Sequence, residues 1–214
     1  MSPATLDTGD AVRLEDCLRR GGVAVFPTDT VYGIGCDPDS ARAVARVYEL
    51  KGRPAERPAA VLFFALAPAL SALPELTGRE RLALGALLPG PVTLLLPNRA
   101  RRFALACGPD PDTLGLRVPA LAPALAALGA LREPVLQSSA NLTGEREARR
   151  LADVPRELRD GVELCLDGGE LPGVASTVID LREYGDGGRW SVVRAGARSS
   201  EAVRAALATA HEDR

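Results

Sequence analysis

Lysine is nearly absent from this chain. Lys51 is the only one in 214 residues, and the remaining basic residues are arginines. Histidine is just as scarce. His211, in the polar C-terminal stretch, is the single one. It is badly placed for a Ser–His–Asp triad or a Cys–His dyad, and no His/Cys metal set is available. Cys17, Cys36, Cys107 and Cys165 lie far apart, so zinc-ribbon spacing is missing and reduced cytosolic thiols are expected. Aromatic residues make up 4% of the chain, which leaves the core to Leu, Val and Ala. No apolar run approaches the roughly 20 residues that span a bilayer, and no signal pattern opens the chain, so a cytoplasmic protein without membrane contact is expected. A net charge of −2 argues against a nucleic-acid binder acting through its overall field. Neither a Gly-x-x-x-x-Gly-Lys-Ser/Thr loop nor a Gly-x-Gly-x-x-Gly fingerprint is present.

What is present is an ordinary globular composition, 46% hydrophobic and 25% charged, of a size that fits one domain. Helical spacing over Asp10–Arg20 stops at Gly21-Gly22, and Val23–Phe26 follows as a strand. A helix capped by Asp39 or Ser40 runs from Ala41 to near Lys51. Val61–Leu66 reads as a buried strand. Thr77-x-x-Glu80 is a capping box for a helix to Leu88. Strands are predicted at Val92–Leu96, Leu114–Val118, Val135–Ser139, Val162–Leu166, Thr177–Leu181 and Trp190–Arg194. Helices are predicted at Pro123–Leu131, Pro155–Arg159 and Ser200–Ala210. Helices and strands alternate, then strands dominate, which implies an α/β fold with a mixed, twisted sheet under flanking helices.

Four stretches carry candidate chemistry. Thr28, Thr30 and Tyr32 follow a strand end, where open α/β sheets bind ligands, although a self-satisfied turn explains them equally. Lys51-Gly52-Arg53-Pro54-Ala55-Glu56-Arg57-Pro58 offers a point charge and planar forks suited to phosphate. A helix C-terminus also attracts cations, but a chain that uses Arg everywhere else has no need of Lys for that. Gln137-Ser138-Ser139-Ala140-Asn141 runs a buried strand into small polar groups able to bind phosphate or to close an Asx turn. Arg117 and Arg194 sit among apolar strand residues and need a carboxylate, from the chain or from a ligand. Arg99, Arg101 and Arg102 read as a solvated loop. With no protein acid or base in view, phosphoryl or nucleotidyl transfer by positioning and charge neutralisation fits best.

In order, Pro27–Gly33, Lys51-x-Arg53, Pro89–Thr93, Thr113–Pro119, Ser139-Ala140-Asn141, Gly173–Val178 and Arg194-Ala195-Gly196 resemble the YrdC/Sua5 family of threonylcarbamoyl-AMP synthases, in its short single-domain form. The resemblance covers about residues 10–200, leaving 201–214 as a helix end and polar tail. It implies a YrdC-like open mixed sheet and synthesis of threonylcarbamoyl-AMP and pyrophosphate from L-threonine, bicarbonate and ATP. The product would pass to the machinery that modifies adenosine 37 of tRNA. Lys51, Arg53, Ser139 and Asn141 correspond to the signature active-site set. Arg53, Arg57, Thr113, Ser139, Asn141 and Arg194 would hold ATP. Thr30, Tyr32, Arg117, Gln137 and Ser176 would hold threonine. Mg²⁺ would be carried mainly by the phosphates, with no metal site on the chain. Weak RNA binding is a further implied property, and a nucleotide- or RNA-binding module without synthesis is the alternative. The chain departs from the family pattern at Arg57 for Lys, Leu62 for a frequent His, and Ser138 and Ala195 for Pro.

Overall fold

The computed structural model describes residues 5–54 and 56–212; Ala55 of the cationic loop and the last two residues of the tail lie outside it, as does the side chain of His211. Asp7 caps the first helix and shares a capping box with Asp10, so α1 (Thr8–Arg19) starts two residues earlier than its spacing suggests. Ser40 caps α2 (Ala41–Leu50), whose Val44, Val47 and Tyr48 are buried. Short α3 (Leu66–Ala72) precedes α4 (Gly78–Leu87), which opens on the Thr77/Glu80 capping box. Then come α5 (Ala104–Cys107), α6 (Arg156–Asp160), α7 (Tyr184–Gly187) and α8 (Ser200–Glu212).

Among the described residues nine strands form one sheet: β1 (Ala24–Phe26), β2 (Gly33–Cys36), β3 (Ala60–Leu62), β4 (Val92–Pro97), β5 (Thr113–Arg117), β6 (Val135–Ser139), β7 (Leu164–Cys165), β8 (Thr177–Asp180) and β9 (Ser191–Arg194). Their order is β7-β1-β2-β6-β3-β5-β4-β8-β9. The β1–β7, β3–β5 and β4–β8 pairs are parallel and the others antiparallel, which is the mixed sheet expected.

The differences have local causes. β2 escapes sequence reading because two of its four residues are glycine, which normally weakens a strand. Gly35 is needed there: a Cβ would come within 2.5 Å of the Leu136 carbonyl. The strand predicted to reach Leu66 ends at Leu62, and the chain turns into α3 with Pro68 in its first turn. Pro123–Ala130 is a 3₁₀ rather than an α-helix. It lacks a side-chain cap, and its buried Leu125 and Leu128 stand three residues apart, the spacing a 3₁₀ helix stacks on one face.

The predicted solvated arginine loop is in fact pinned. Arg99 forms a two-pronged ion pair with buried Glu80, Arg101 pairs with Asp112, and Arg102 with Glu75. Arg99 thus ties β4's exit to the cap of α4. All four cysteines are free, and no described helix is long and apolar enough to cross a membrane.

Candidate active site

Small residues in neighbouring register leave a hollow over the middle of the sheet. Ala60 of β3 pairs with Gly115 of β5 on one side and with Gln137 of β6 on the other. Gly33 of β2 lies opposite Ser139, and a Cβ there would press on the Gln137 side chain at 3.0–3.5 Å. The hollow is a cavity of about 190 Å³. Its polar wall includes Arg53, Thr93, Arg117, Gln137, Ser139, Glu147, Ser176 and Arg194. A second lobe of about 360 Å³ adjoins it across Pro58, Ala59, Ala60, Thr93 and Val178, and contains Thr113 and Arg182. Together the lobes reach the size class of small-molecule sites, roughly 300–1,000 Å³.

Arg117 lies at the end of β5, where the chain leaves the sheet, and is fully buried. Its guanidinium donates to Asp29 at 2.9 Å, Thr30 Oγ1 at 3.0 Å and Gln137 Oε1 at 3.1 Å. Asp29 also accepts from the Ala120 backbone N–H. Burial works against both charges, lowering the Arg117 pKa and raising that of Asp29. Arg117 Nε is left without an acceptor, and so is Arg53 Nε. Arg53 and Arg117 thus bring guanidinium groups with spare donor capacity to one cavity wall, an arrangement able to accept an anion. At the other end, Arg194 donates to the Ser176 carbonyl at 2.8 Å, and Ser176 Oγ and Thr93 Oγ1 lie 2.8 Å apart.

Lys51 does not reach the cavity wall. It is buried behind it, and its ammonium donates to the carbonyls of Ser139 and Asn141 and to Asn141 Oδ1. Asn141 Oδ1 accepts from Ser139 Oγ at 2.6 Å, and its amide donates to the Glu145 carbonyl. The signature set therefore divides in two. Arg53 and Ser139 face the cavity, while Lys51 and Asn141 brace Ser139 from behind.

Burial, with Arg53 nearby, lowers the Lys51 pKa to about 8. The folded state therefore disfavours its charge. That cost is fully present below about pH 8 and disappears above the ordinary value of 10.5. Relative to Lys51→Met, which does not titrate, the parent should gain stability on the order of 3 kcal/mol as pH rises from about 8 to 10.5. Urea unfolding of both proteins at the two pH values measures this; a constant difference counts against it.

Other expected ligands lie elsewhere. Tyr32 is buried, and its hydroxyl turns from the cavity to the Gly169 carbonyl at 2.8 Å and Asp167 at 3.1 Å, so it braces the loop after β7. Arg57 is exposed and off the cavity wall, and its backbone carbonyl accepts from Tyr48. Thr30 sits beneath Arg117, and Thr113 belongs to the adjoining lobe, 3.4 Å from Arg182. Leu62 packs in the core. Three contributors went unassigned in the sequence: Asp29, Thr93 and Glu147. Asp29 and Thr93 lie within motifs already singled out, but Glu147 sits in a charged loop run with nothing to distinguish it.

An open, mixed α/β sheet with an arginine-lined cavity over its centre defines the class. The family model for Sua5/YciO/YrdC proteins, described as "Telomere recombination", matches residues 16–196, and the chain belongs to that family. It is 33% identical to the threonylcarbamoyl-AMP synthase of Pyrococcus abyssi, over 78% of this chain and 49% of that protein. With the threonylcarbamoyl-AMP synthase of Halorhodospira halophila the identity is 38%, over 71% of this chain and 78% of the relative. The crystal structure of P. abyssi Sua5 complexed with L-threonine superposes with a TM-score of 0.81 at 29% identity, covering 94% of this chain and 58% of that one. The chain thus spans about half the length of the Pyrococcus relative.

Proposed function

We propose that this chain is an L-threonylcarbamoyladenylate synthase. It would join L-threonine, bicarbonate and ATP to give threonylcarbamoyl-AMP, pyrophosphate and water. The observation that carries this reading is the pair of unsatisfied buried arginine donors in one cavity, Arg53 Nε and Arg117 Nε. The reaction needs two anions held side by side, an amino-acid carboxylate and a triphosphate. Related proteins bearing the synthase name, and a related Sua5 solved with L-threonine, support the choice of substrates.

Arg117, held rigid by Asp29, Thr30 and Gln137, would take the threonine carboxylate, with Ser176 beside it. Arg53, Ser139 and Arg194 would meet the phosphates, and the Thr113 lobe would receive the nucleoside. Attack of the carbamate oxygen on the α-phosphorus builds charge toward the leaving pyrophosphate. Preorganised cations and hydroxyls in a partly closed site stabilise that charge. The wall's donors are mainly cationic and hydroxylic, which suits Mg²⁺ carried on the triphosphate. When bound, the ion would neutralise part of the phosphate charge. The product would go to the tRNA-modifying transferase, and the protein would then work in the cytoplasm.

Pyrophosphate release from ATP should require both L-threonine and bicarbonate, falling to background when either is omitted. Coupled detection of pyrophosphate tests this, and turnover indifferent to both omissions would sink the reading.

A further inference from the structure

Glu147 is the anomaly in this cavity. Among the described residues it is the carboxylate that lines the lobe holding Arg117, Asp110 lining the other, and its charge bears on both Lys51 and Arg117. Among the described residues its side chain has no hydrogen-bond or ion-pair partner. Asp29, the other carboxylate nearby, is fully engaged by Arg117 and Ala120. The segment carrying Glu147 is fixed on both sides. The Glu145 carbonyl accepts from Asn141, the Ala148 carbonyl from the Tyr32 backbone N–H, and the Arg149 carbonyl from that of Leu171. Glu147 is therefore held at the site.

A free carboxylate is the wrong group for a triphosphate or a bicarbonate, since like charges repel across a partly dehydrated cavity. It suits a ligand with a cation beside its anion. An α-amino acid bears its ammonium and its carboxylate on the same carbon, so a site that seats the carboxylate on Arg117 presents the amine to its immediate surroundings. Glu147 lines the same cavity as Arg117 and Ser139, so an amine beside a carboxylate on Arg117 shares a cavity with it.

Resting on the synthase reading above, we infer that Glu147 receives the ammonium group of the amino-acid substrate and so selects an amino acid over a plain hydroxy acid. It is a specificity residue contributed by the Glu145–Arg149 segment, beyond the signature set. Its charge also favours a zwitterion over a bare anion in a pocket whose other charged lining residues are arginines.

The experiment is calorimetric titration of the parent and Glu147→Gln with three probes: L-threonine, the 2,3-dihydroxybutanoate in which a hydroxyl replaces the amine, and MgATP. Glu147 has no partner to lose, so the variant should fold, and its melting temperature checks this. The parent should prefer threonine to the hydroxy acid by about ten-fold or more. Glu147→Gln should weaken threonine by about ten-fold, removing most of that preference, and leave the hydroxy acid and MgATP within about two-fold of the parent. Unchanged threonine binding overturns the inference. Weakened MgATP with intact threonine overturns it too, and assigns Glu147 to the nucleotide's cation. A parent that binds no threonine overturns the proposed reaction and this inference with it; the parent's own titration tells the two failures apart.

Discussion

Lys51→Met should lower pyrophosphate release by about 100-fold or more while leaving a native circular dichroism spectrum. The reason is indirect. Lys51 uses its ammonium to hold the carbonyls of Ser139 and Asn141 and the Asn141 side chain. Asn141 in turn fixes Ser139 Oγ, which faces the cavity. Without the lysine, the end of β6 loses the clamp that aims Ser139 and its neighbouring backbone. A displacement of about 1 Å at a reacting group is enough to cost about 100-fold. Two buried carbonyls would lack a donor, at about 1–3 kcal/mol each, but the folded state would no longer bury a strained cation. The net stability change should therefore be modest against the kinetic loss. Steady-state kinetics with a urea denaturation curve separates the two. An Arg at this position would keep the charge but not the three-donor geometry, so Lys51→Arg should also fail to restore activity. Restored activity in that variant would show that charge alone is required.

Arg117→Met should destabilise the protein by about 3–5 kcal/mol, because it strands Asp29 as a buried carboxylate without its cation. In a domain of this size that corresponds to a fall in melting temperature of about 10 °C. Asp29→Asn should also destabilise, leaving Arg117 buried without its counter-charge. The double variant should recover much of the loss, because a buried pair replaced as a unit removes both desolvation costs together. The coupling between the two sites should reach at least about 2 kcal/mol, as expected for groups in direct contact. Threonine-dependent turnover should remain absent in the double variant. That split distinguishes an arginine kept for its ligand from one kept for the fold. Additive losses across the cycle would mean that Asp29 and Arg117 do not act as a pair.

Much of this could be read from residue order alone. The Thr77/Glu80 capping box and the Gly21-Gly22 stop placed their helix ends, because both are local features of the chain, whereas the Asp7/Asp10 box passed unread. The scarcity of lysine and histidine removed whole chemistries and drew attention to Lys51. The motif order pointed to the family. Residue order did not show which polar residues face the cavity, since that depends on register between strands distant in sequence. Tyr32 and Thr30 are two residues apart, yet one braces the loop after β7 and the other supports Arg117. Nothing in the charged run around Glu147 singled it out, and only the fold set it beside the cavity.

The two strand arginines show where the division falls. Leu116-Arg117-Val118 and Val193-Arg194-Ala195 have the same pattern, a charge among apolar neighbours, and the sequence determined that each arginine would sit on a strand and need a partner. Only the tertiary structure decided their fates. β5 lies inside the sheet, so Arg117 is enclosed and must be paired by Asp29, whereas β9 is the edge, so Arg194 stays open to solvent beside Ser176. Solvation follows a strand's place in the sheet, and long-range pairing alone sets that place.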